Sequence, residues 1–470
     1  MQIAGKELAP LARFQTHVPG LDEVLEGGLF ESGVYIVQGS PGVGKTTLGN
    51  QICFAHVRSG GRALYLTLLA ESHARMMQHM RAQTFFDPSA IPARIYYISA
   101  YRELESDGLK GILALLRGEL VRQHASLLVI DGVLMPSDSD GAAEQRMKEF
   151  VHELQSVATI LGCNVLMLTS GRGRSFDPEQ TMVDGIFLME DRAYGMREER
   201  VFQVSKFRGS RTARGRHSYC ITNHGVHIYP RLEGMPLEEP TEAACVRFVT
   251  SGAPALDALF SPPGIGNATC TLVQGPGGTG KTLLGLQFLS KCSPEEPGLM
   301  LCFNEPRVRL AEMAASIGLD FAQMSERGHA QVRWICPGDQ VLDQLGHELL
   351  AEIDTGRVRR LVVDGIAGLA DTSMFHERGY RFLSALLHEL RCRGVTAYFV
   401  SDADALAALG VAHVSDGLAV LFDNVIDMTL RGQARALHVL KARGRQYAQA
   451  EQVLGISPHG LRIESTPPPG

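Results

Sequence analysis

Short apolar runs rich in β-branched residues punctuate the chain, and longer stretches of helical period separate them. Val34–Gln38 and Leu272–Gln274 are such runs, as are Ala63–Leu69, Leu127–Ile130, Val165–Thr169, Leu361–Val363 and Val395–Val400. These runs are continuously apolar rather than alternating, so both faces of each strand should be buried. Buried strands between helices predict an α/β fold, a mostly parallel sheet with helices on both faces. Two helices, Thr46–Val57 and Thr282–Lys291, begin at glycine-rich turns. The first should stop at Gly60-Gly61, where a residue without Cβ can take the left-handed conformation that ends a helix.

The pattern occurs twice. GSPGVGKTT (Gly39–Thr47) returns as GPGGTGKTL (Gly275–Leu283), with Lys45 and Lys281 236 positions apart. LLVIDG (Leu127–Gly132) returns as LVVDG (Leu361–Gly365), and MVDGIFLM (Met182–Met189) as VSDGLAVL (Val414–Leu421). SKFRGS (Ser205–Ser210) returns as LKARGR (Leu440–Arg445), and ITNHGVHI (Ile221–Ile228) as ISPHGLRI (Ile456–Ile463). The marks keep their order at nearly one offset, so a whole domain is duplicated. The proline- and glutamate-rich PRLEGMPLEEPTEAA (Pro230–Ala244) has linker composition. The expected domains are 1–232 and 245–466, with 233–244 as linker and 467–470 as a short tail.

Each repeat carries G-x-x-x-x-G-K-[ST], between a strand and a helix. The pattern is met by Gly39, Gly44, Lys45 and Thr46, and again by Gly275, Gly280, Lys281 and Thr282. Glycines let the backbone N–H groups wrap a phosphate, and the helix adds its positive end. Lysine reaches the β and γ phosphates and the threonine hydroxyl ligates Mg²⁺. ATP and Mg²⁺ are the expected ligands. The nucleotide-cradling residues are Gly39, Ser40, Gly42, Gly44, Lys45, Thr46 and Thr47 in one repeat. In the other they are Gly275, Gly277, Gly280, Lys281, Thr282 and Leu283. Asp131 and Asp364 end apolar strands, as a Walker B aspartate holding the Mg²⁺ shell does, or as a plain turn aspartate would. With Thr46 and Thr282 they form the expected metal set. Glu71 and Glu305, after the second strand of each repeat, are candidates to position the attacking water; a solvated glutamate at a helix start is the alternative. Lys206 and Arg208, with Lys441 and Arg443, form K-x-R-G near the end of each repeat. They read as fingers that neutralise the γ-phosphate of a neighbouring subunit, or as solvated charge on a sheet edge. His224-Gly225 and His459-Gly460 read as turns, and Asp184 and Asp416 as strand-opening turn residues.

Composition narrows the setting. With 470 residues, 45% hydrophobic and 20% charged, the chain is an ordinary globular one of two to four domains. A net charge of -6 argues against a dedicated nucleic-acid coat. Only the basic SGRGRSF (Ser170–Phe176) supports a recombinase-like ATPase, and its counterpart SDADALAA (Ser401–Ala408) is acidic. Nucleic acid is therefore not an expected partner. Nine dispersed cysteines fit reduced thiols rather than a disulfide or zinc framework. Met1–Pro10 lacks an apolar signal core and no long apolar run spans a membrane, so the expected location is cytoplasmic.

Together these residues resemble the KaiC-like branch of the RecA superfamily. The marks include HVPGLDEVLEGGLF (His17–Phe30), echoed by TSGAPALDALF (Thr250–Phe260), followed in family order by P-loop, strand-ending Glu, V-I-D or V-V-D box and K-x-R-G. The resemblance spans the chain. It implies two tandem RecA-like P-loop NTPase domains in a homo-oligomer, usually a hexameric ring, with ATP between subunits. It also implies ATP hydrolysis coupled to signalling with a protein partner. Clock members of the family phosphorylate themselves on a Ser-Thr pair in the second domain, which keeps a kinase reading in view. Two departures stand out. The family's paired glutamates are here Ala70-Glu71 and Asn304-Glu305, and spacing from VSDG puts the acceptor pair on Ala412-His413.

Overall fold

The computed structural model describes residues 11–68, 73–133, 141–170, 182–194, 197–236, 247–335, 341–371, 378–402, 419–432, 434–458 and 460–464. The chain divides into two compact units, Met1–Met235 and Pro236–Gly470. The first is built on a nine-stranded sheet. Across it run Gly225–Tyr229, Arg216–Thr222, Arg197–Phe207, Gly185–Tyr194, Val34–Gly39, Asn164–Thr169, Leu127–Val133, Ala63–Thr67 and Ile95–Ser99. The last six are mutually parallel, and the first three add an antiparallel meander.

The second unit repeats this topology strand for strand. Its sheet runs Gly460–Glu464, Gln452–Ser457, Ala434–Ala442, Asn424–Arg431, Cys270–Gln274, Thr396–Ser401, Arg360–Asp364, Gly298–Cys302 and Ala330–Trp334. Both units are thus the α/β fold expected, with the glycine-rich loop leaving a central strand.

Continuous apolar strands are explained by the two cores they serve. In the first unit Val34 and Ile36 pack with Ile112, Leu116, Phe150 and Leu154 of the helices Tyr101–Gln123 and Gly141–Leu161. Their neighbours Tyr35 and Val37 point the other way, against Leu48, Ile52 and Phe54 of the helix Lys45–Arg58. Each such side chain contributes about 1.5–3 kcal/mol by leaving water, which polar alternation would forfeit on one face.

The first P-loop helix ends as expected. Gly60, at φ +96°, donates to Val57 O, and Gly61 donates to His56 O, closing a Schellman cap. The second runs Lys281–Leu289, two residues short of expectation. No glycine follows, and the chain leaves through tightened bonds from Ser290 N to Gln287 O and Cys292 N to Leu289 O.

The opening motif is held alike in both units by one carboxylate. Asp22 accepts the Thr16 hydroxyl and the Thr16 and His17 amides; Asp257 accepts the Thr250 hydroxyl and the Ser251 amide. The His-Gly turns also have a cause. Gly225 (φ +95°) and Gly460 (φ +104°) stand against Gln51 and Gln287 of the P-loop helices, and a Cβ on Gly225 would lie 2.4 Å from Gln51 Oε1. Gln51 bonds both backbone groups of Val226, and Gln287 accepts the Leu461 amide. His459 lies outside the described residues.

One expected correspondence is overturned. Asp184 receives the Val34 amide on its carboxylate, donates its own amide to Val34 O, and accepts the Arg208 amide on its carbonyl. The residue doing all three in the second unit is Asp423, toward Cys270 and Arg443, so Asp423 and not Asp416 is the counterpart of Asp184; Asp416 itself lies outside the described residues. The D-G dipeptide of VSDG matched by composition. The equivalent of Gly185 is Asn424, which hid the true register seven residues on.

Candidate functional site

The C-terminal ends of the parallel strands carry the P-loops, where a doubly covered sheet opens its ligand crevice. Gly39 and Gly275 leave their strands so close to a neighbour that a Cβ would meet the Met189 or Met428 carbonyl oxygen at 2.3 and 2.0 Å. Gly44 and Gly280, at φ +96° and +100°, are the caps from which Lys45–Arg58 and Lys281–Leu289 start. The first-turn N–H groups of each helix have no intrahelical acceptor and face the loop. Ser40 and Gly42 lie in the first loop and Thr47 in the helix that follows it, while Gly277 and Leu283 line the cleft at the second.

In the first unit Lys45 Nζ donates to Gly39 O (2.7 Å) and Ser40 O (2.9 Å). Burial lowers the pKa of its ammonium, against the pull of Asp131. Thr46 Oγ1 donates to Asp131 Oδ2 at 2.8 Å, and Tyr65 donates to the same oxygen at 2.7 Å. Thr46 and Asp131, 85 residues apart in sequence, are therefore one cluster. Glu71 lies outside the described residues.

In the second unit Lys281 Nζ donates to Gly275 O and Pro276 O, each at 2.8 Å, and to Asp402 Oδ1 at 2.9 Å. Thr282 hydrogen-bonds Asp364. Burial pushes the Asp364 carboxyl up to about 6, against the Thr282 bond and the Lys281 charge, while Glu305 and Asp402 add like charge. Lys281, Thr282, Asp364, Asn304, Glu305 and Asp402 line a cleft of about 370 Å³, with Arg435 donating to Gly278 O at its edge. Glu305 thus shares the cleft with the P-loop.

The K-x-R-G cations sit elsewhere in each unit. Lys206 pairs with Ile186, which pairs with Ile36, three residues before Gly39 and two strands away. Strand spacing and rise put the two backbones about 14 Å apart. Lys441 stands at the same place, opposite Val425, and a β-bulge precedes both lysines in the same register. Lys441 Nζ donates to Ala419 O and Phe422 O, each at 2.7 Å, and Arg443 donates to Val420 O. Burial, then the adjoining arginine, lowers the pKa of both lysines. Each cation pair therefore lies at the opposite end of the sheet from its own P-loop.

Comparison with known proteins agrees with this geometry. A KaiC ATPase family model matches residues 14–233 and again 249–467. The chain belongs to the KaiC ATPase family. It is similar to the circadian clock oscillator protein KaiC of Picosynechococcus sp., 23% identical over 97% of this chain and 90% of that protein. The KaiC of Rippkaea orientalis is 24% identical over 97% and 89%, and that of Synechococcus elongatus 22% over 97% and 90%. The fold is the tandem RecA-like arrangement of that family, and its activity is of the P-loop ATPase kind.

Three residues at the two sites carried no readable signal in the sequence, Tyr65, Arg435 and Asp402, and a fourth, Gln51, was missed although it carried one. Gln51 and Gln287 recur at the P-loop offset, and that recurrence could have found them. Tyr65 has Met300 in its register and Asp402 has Ser170, so repetition gave no clue.

Proposed function

We propose that both modules bind ATP with Mg²⁺ and hydrolyse it, within a homo-oligomeric ring whose nucleotide state is read by a protein partner. The observation carrying this reading is the duplicated cluster in which a buried or half-buried lysine, a helix start and a Thr–Asp pair converge on one glycine loop. The residues fit a Mg²⁺-bound nucleotide. Each lysine is folded onto carbonyls of its own loop, and each threonine hydroxyl already faces an aspartate where a magnesium shell would be held. Mg²⁺, when bound, supplies charge neutralisation to the phosphates. The chain's own part is to cradle phosphate with loop N–H groups, to place Lys45 or Lys281 against it, and in the second module to hold Glu305 ready to orient water.

Lys206/Arg208 and Lys441/Arg443 act in trans on this reading. Their distance from their own P-loops supports it, since an extended lysine reaches only about 6 Å against a gap of about 14 Å. Autophosphorylation of clock type is not part of the proposal. Counted from Asp423 instead of Asp416, the acceptor pair falls on Ala419-Val420, and neither carries a hydroxyl. Ala412, His413 and Ser415 lie outside the described residues.

Equilibrium nucleotide binding tests the reading. The wild-type chain should hold two nucleotides, and Lys45→Ala or Lys281→Ala one, because each removes a charge-assisted phosphate contact. Two per chain in both variants would refute the assignment. Intact-mass analysis after long incubation with Mg·ATP should show no stoichiometric phosphate on any Ser or Thr between Val400 and Leu421.

A further inference from the structure

The two modules differ at the P-loop lysine. An ammonium has three N–H donors. Lys45 spends two on its own loop, on Gly39 O and Ser40 O. Lys281 spends all three, on Gly275 O, Pro276 O and the carboxylate of Asp402. Among the described residues only the second module does this, and strand register shows why. Gln38 pairs with Thr169 and Gln274 with Ser401, so the residue that follows, Asp402, corresponds to Ser170. Ser170 cannot offer a charge.

Resting on the nucleotide-site reading above, we infer that Asp402 is a specificity residue that makes the second module prefer a nucleoside diphosphate to a triphosphate. Loop N–H groups and the helix start can hold a β-phosphate without the lysine's third donor. A γ-phosphate calls on the ammonium as well. In this module that donor is already taken by a carboxylate, with Glu305 and Asp364 lining the same cleft. A triphosphate must therefore displace Asp402 and bring further negative charge among three carboxylates. A diphosphate leaves the Lys281–Asp402 pair standing. Lys281 is 7% exposed whereas the Asp402 side chain is 58% exposed, so the carboxylate can swing aside while the lysine stays. The pair is thus a discriminating contact, not a block.

The test uses the full chain with the first site silenced. Lys45→Ala and Lys45→Ala/Asp402→Asn chains are titrated calorimetrically with Mg·ADP and with Mg²⁺ and the β,γ-imido analogue of ATP. The ratio of triphosphate Kd to diphosphate Kd should fall about tenfold on Asp402→Asn, since asparagine keeps the shape and drops the charge. The reciprocal change, Ser170→Asp in a Lys281→Ala chain, should raise that ratio at the first site, and it decides the matter if Asp402→Asn fails to fold. Ratios unchanged within twofold, with binding intact, would overturn the inference alone. No nucleotide bound by the Lys45→Ala chain at all would overturn the nucleotide-site reading beneath it.

Discussion

Asp131 and Asp364 show how far residue types carry an argument and where environment takes over. Each ends an apolar strand downstream of a P-loop, and that much is legible in sequence. What is not legible is that Asp131 is held by two hydroxyls and stays partly exposed, whereas Asp364 is 4% exposed. Tyr65, fully buried on the adjoining strand, supplies the second of those hydroxyls. Sequence places a tyrosine in a strand; only the pairing of that strand with Leu127–Val133 brings its hydroxyl to the carboxylate. Tyr65→Phe keeps the ring and its packing but removes one bond to a charged oxygen. Such a bond is worth about 1.5 kcal/mol or more when buried and less where water competes. Mg²⁺-dependent nucleotide affinity at the first site should fall roughly 3- to 10-fold, with the second site unmoved; calorimetry in the Lys281→Ala background reads the first site alone. The same scale explains the misplaced Asp416. A short dipeptide match carries little information, whereas three backbone-linked bonds identify Asp423 without ambiguity.

Between elements, the link worth testing is the glutamine that ties the P-loop helix to the last hairpin. Gln51 hydrogen-bonds both backbone groups of Val226, and among the described residues that edge of the sheet has no further strand beyond Gly225–Tyr229. The turn glycine is required by the same contact, because a Cβ at Gly225 would strike Gln51 and strain a φ of +95°. Gln51→Ala leaves a buried N–H and C=O without partners, a loss of about 1–3 kcal/mol for each group left unsatisfied. Native-state amide exchange at Val226 should accelerate by at least about tenfold, while amides of the central strand Val34–Gly39 stay protected. Gly225→Ala should act likewise. His224→Ala, at an exposed turn position whose ring hydrogen-bonds the Thr84 hydroxyl, should change stability by less than about 0.5 kcal/mol. The elements themselves were largely legible. The apolar runs named match observed strands to within one to three residues, because burial on both faces imposes composition directly. The antiparallel meander is not legible in the sequence; only its K-x-R-G and His-Gly marks stand out. Its strands are polar on one side and bend at a bulge, which breaks the periodic signal.

At the scale of the whole molecule, the placement of the cations decides what a single chain can do. Within one unit the P-loop and the K-x-R-G pair occupy opposite ends of the sheet, so no rotamer of Lys206 reaches the phosphate cradled by Lys45. Either the cations are idle in catalysis, or a second copy brings its P-loop to them. The second option makes assembly and turnover inseparable, since nucleotide binding at an interface stabilises the oligomer by linkage. Complementation separates the two. One chain carries Lys206→Ala/Arg208→Ala, keeping its first P-loop but lacking the finger. The other carries Lys45→Ala, keeping the finger but lacking the site. Lys281→Ala in both silences the second module. Each homogeneous preparation should be nearly inactive, as loss of a charge-neutralising finger costs on the order of 10³-fold in turnover. Random one-to-one mixing through a head-to-tail interface pairs an intact site with an intact finger at about a quarter of the contacts. About a quarter of the turnover of a Lys281→Ala reference should then return in mixed oligomers, with co-assembly checked by differential tagging. Mixed assemblies that form and stay silent would assign Lys206 and Arg208 to structure, with the Lys206 ammonium beside the Asp184 carboxylate near the foot of the sheet.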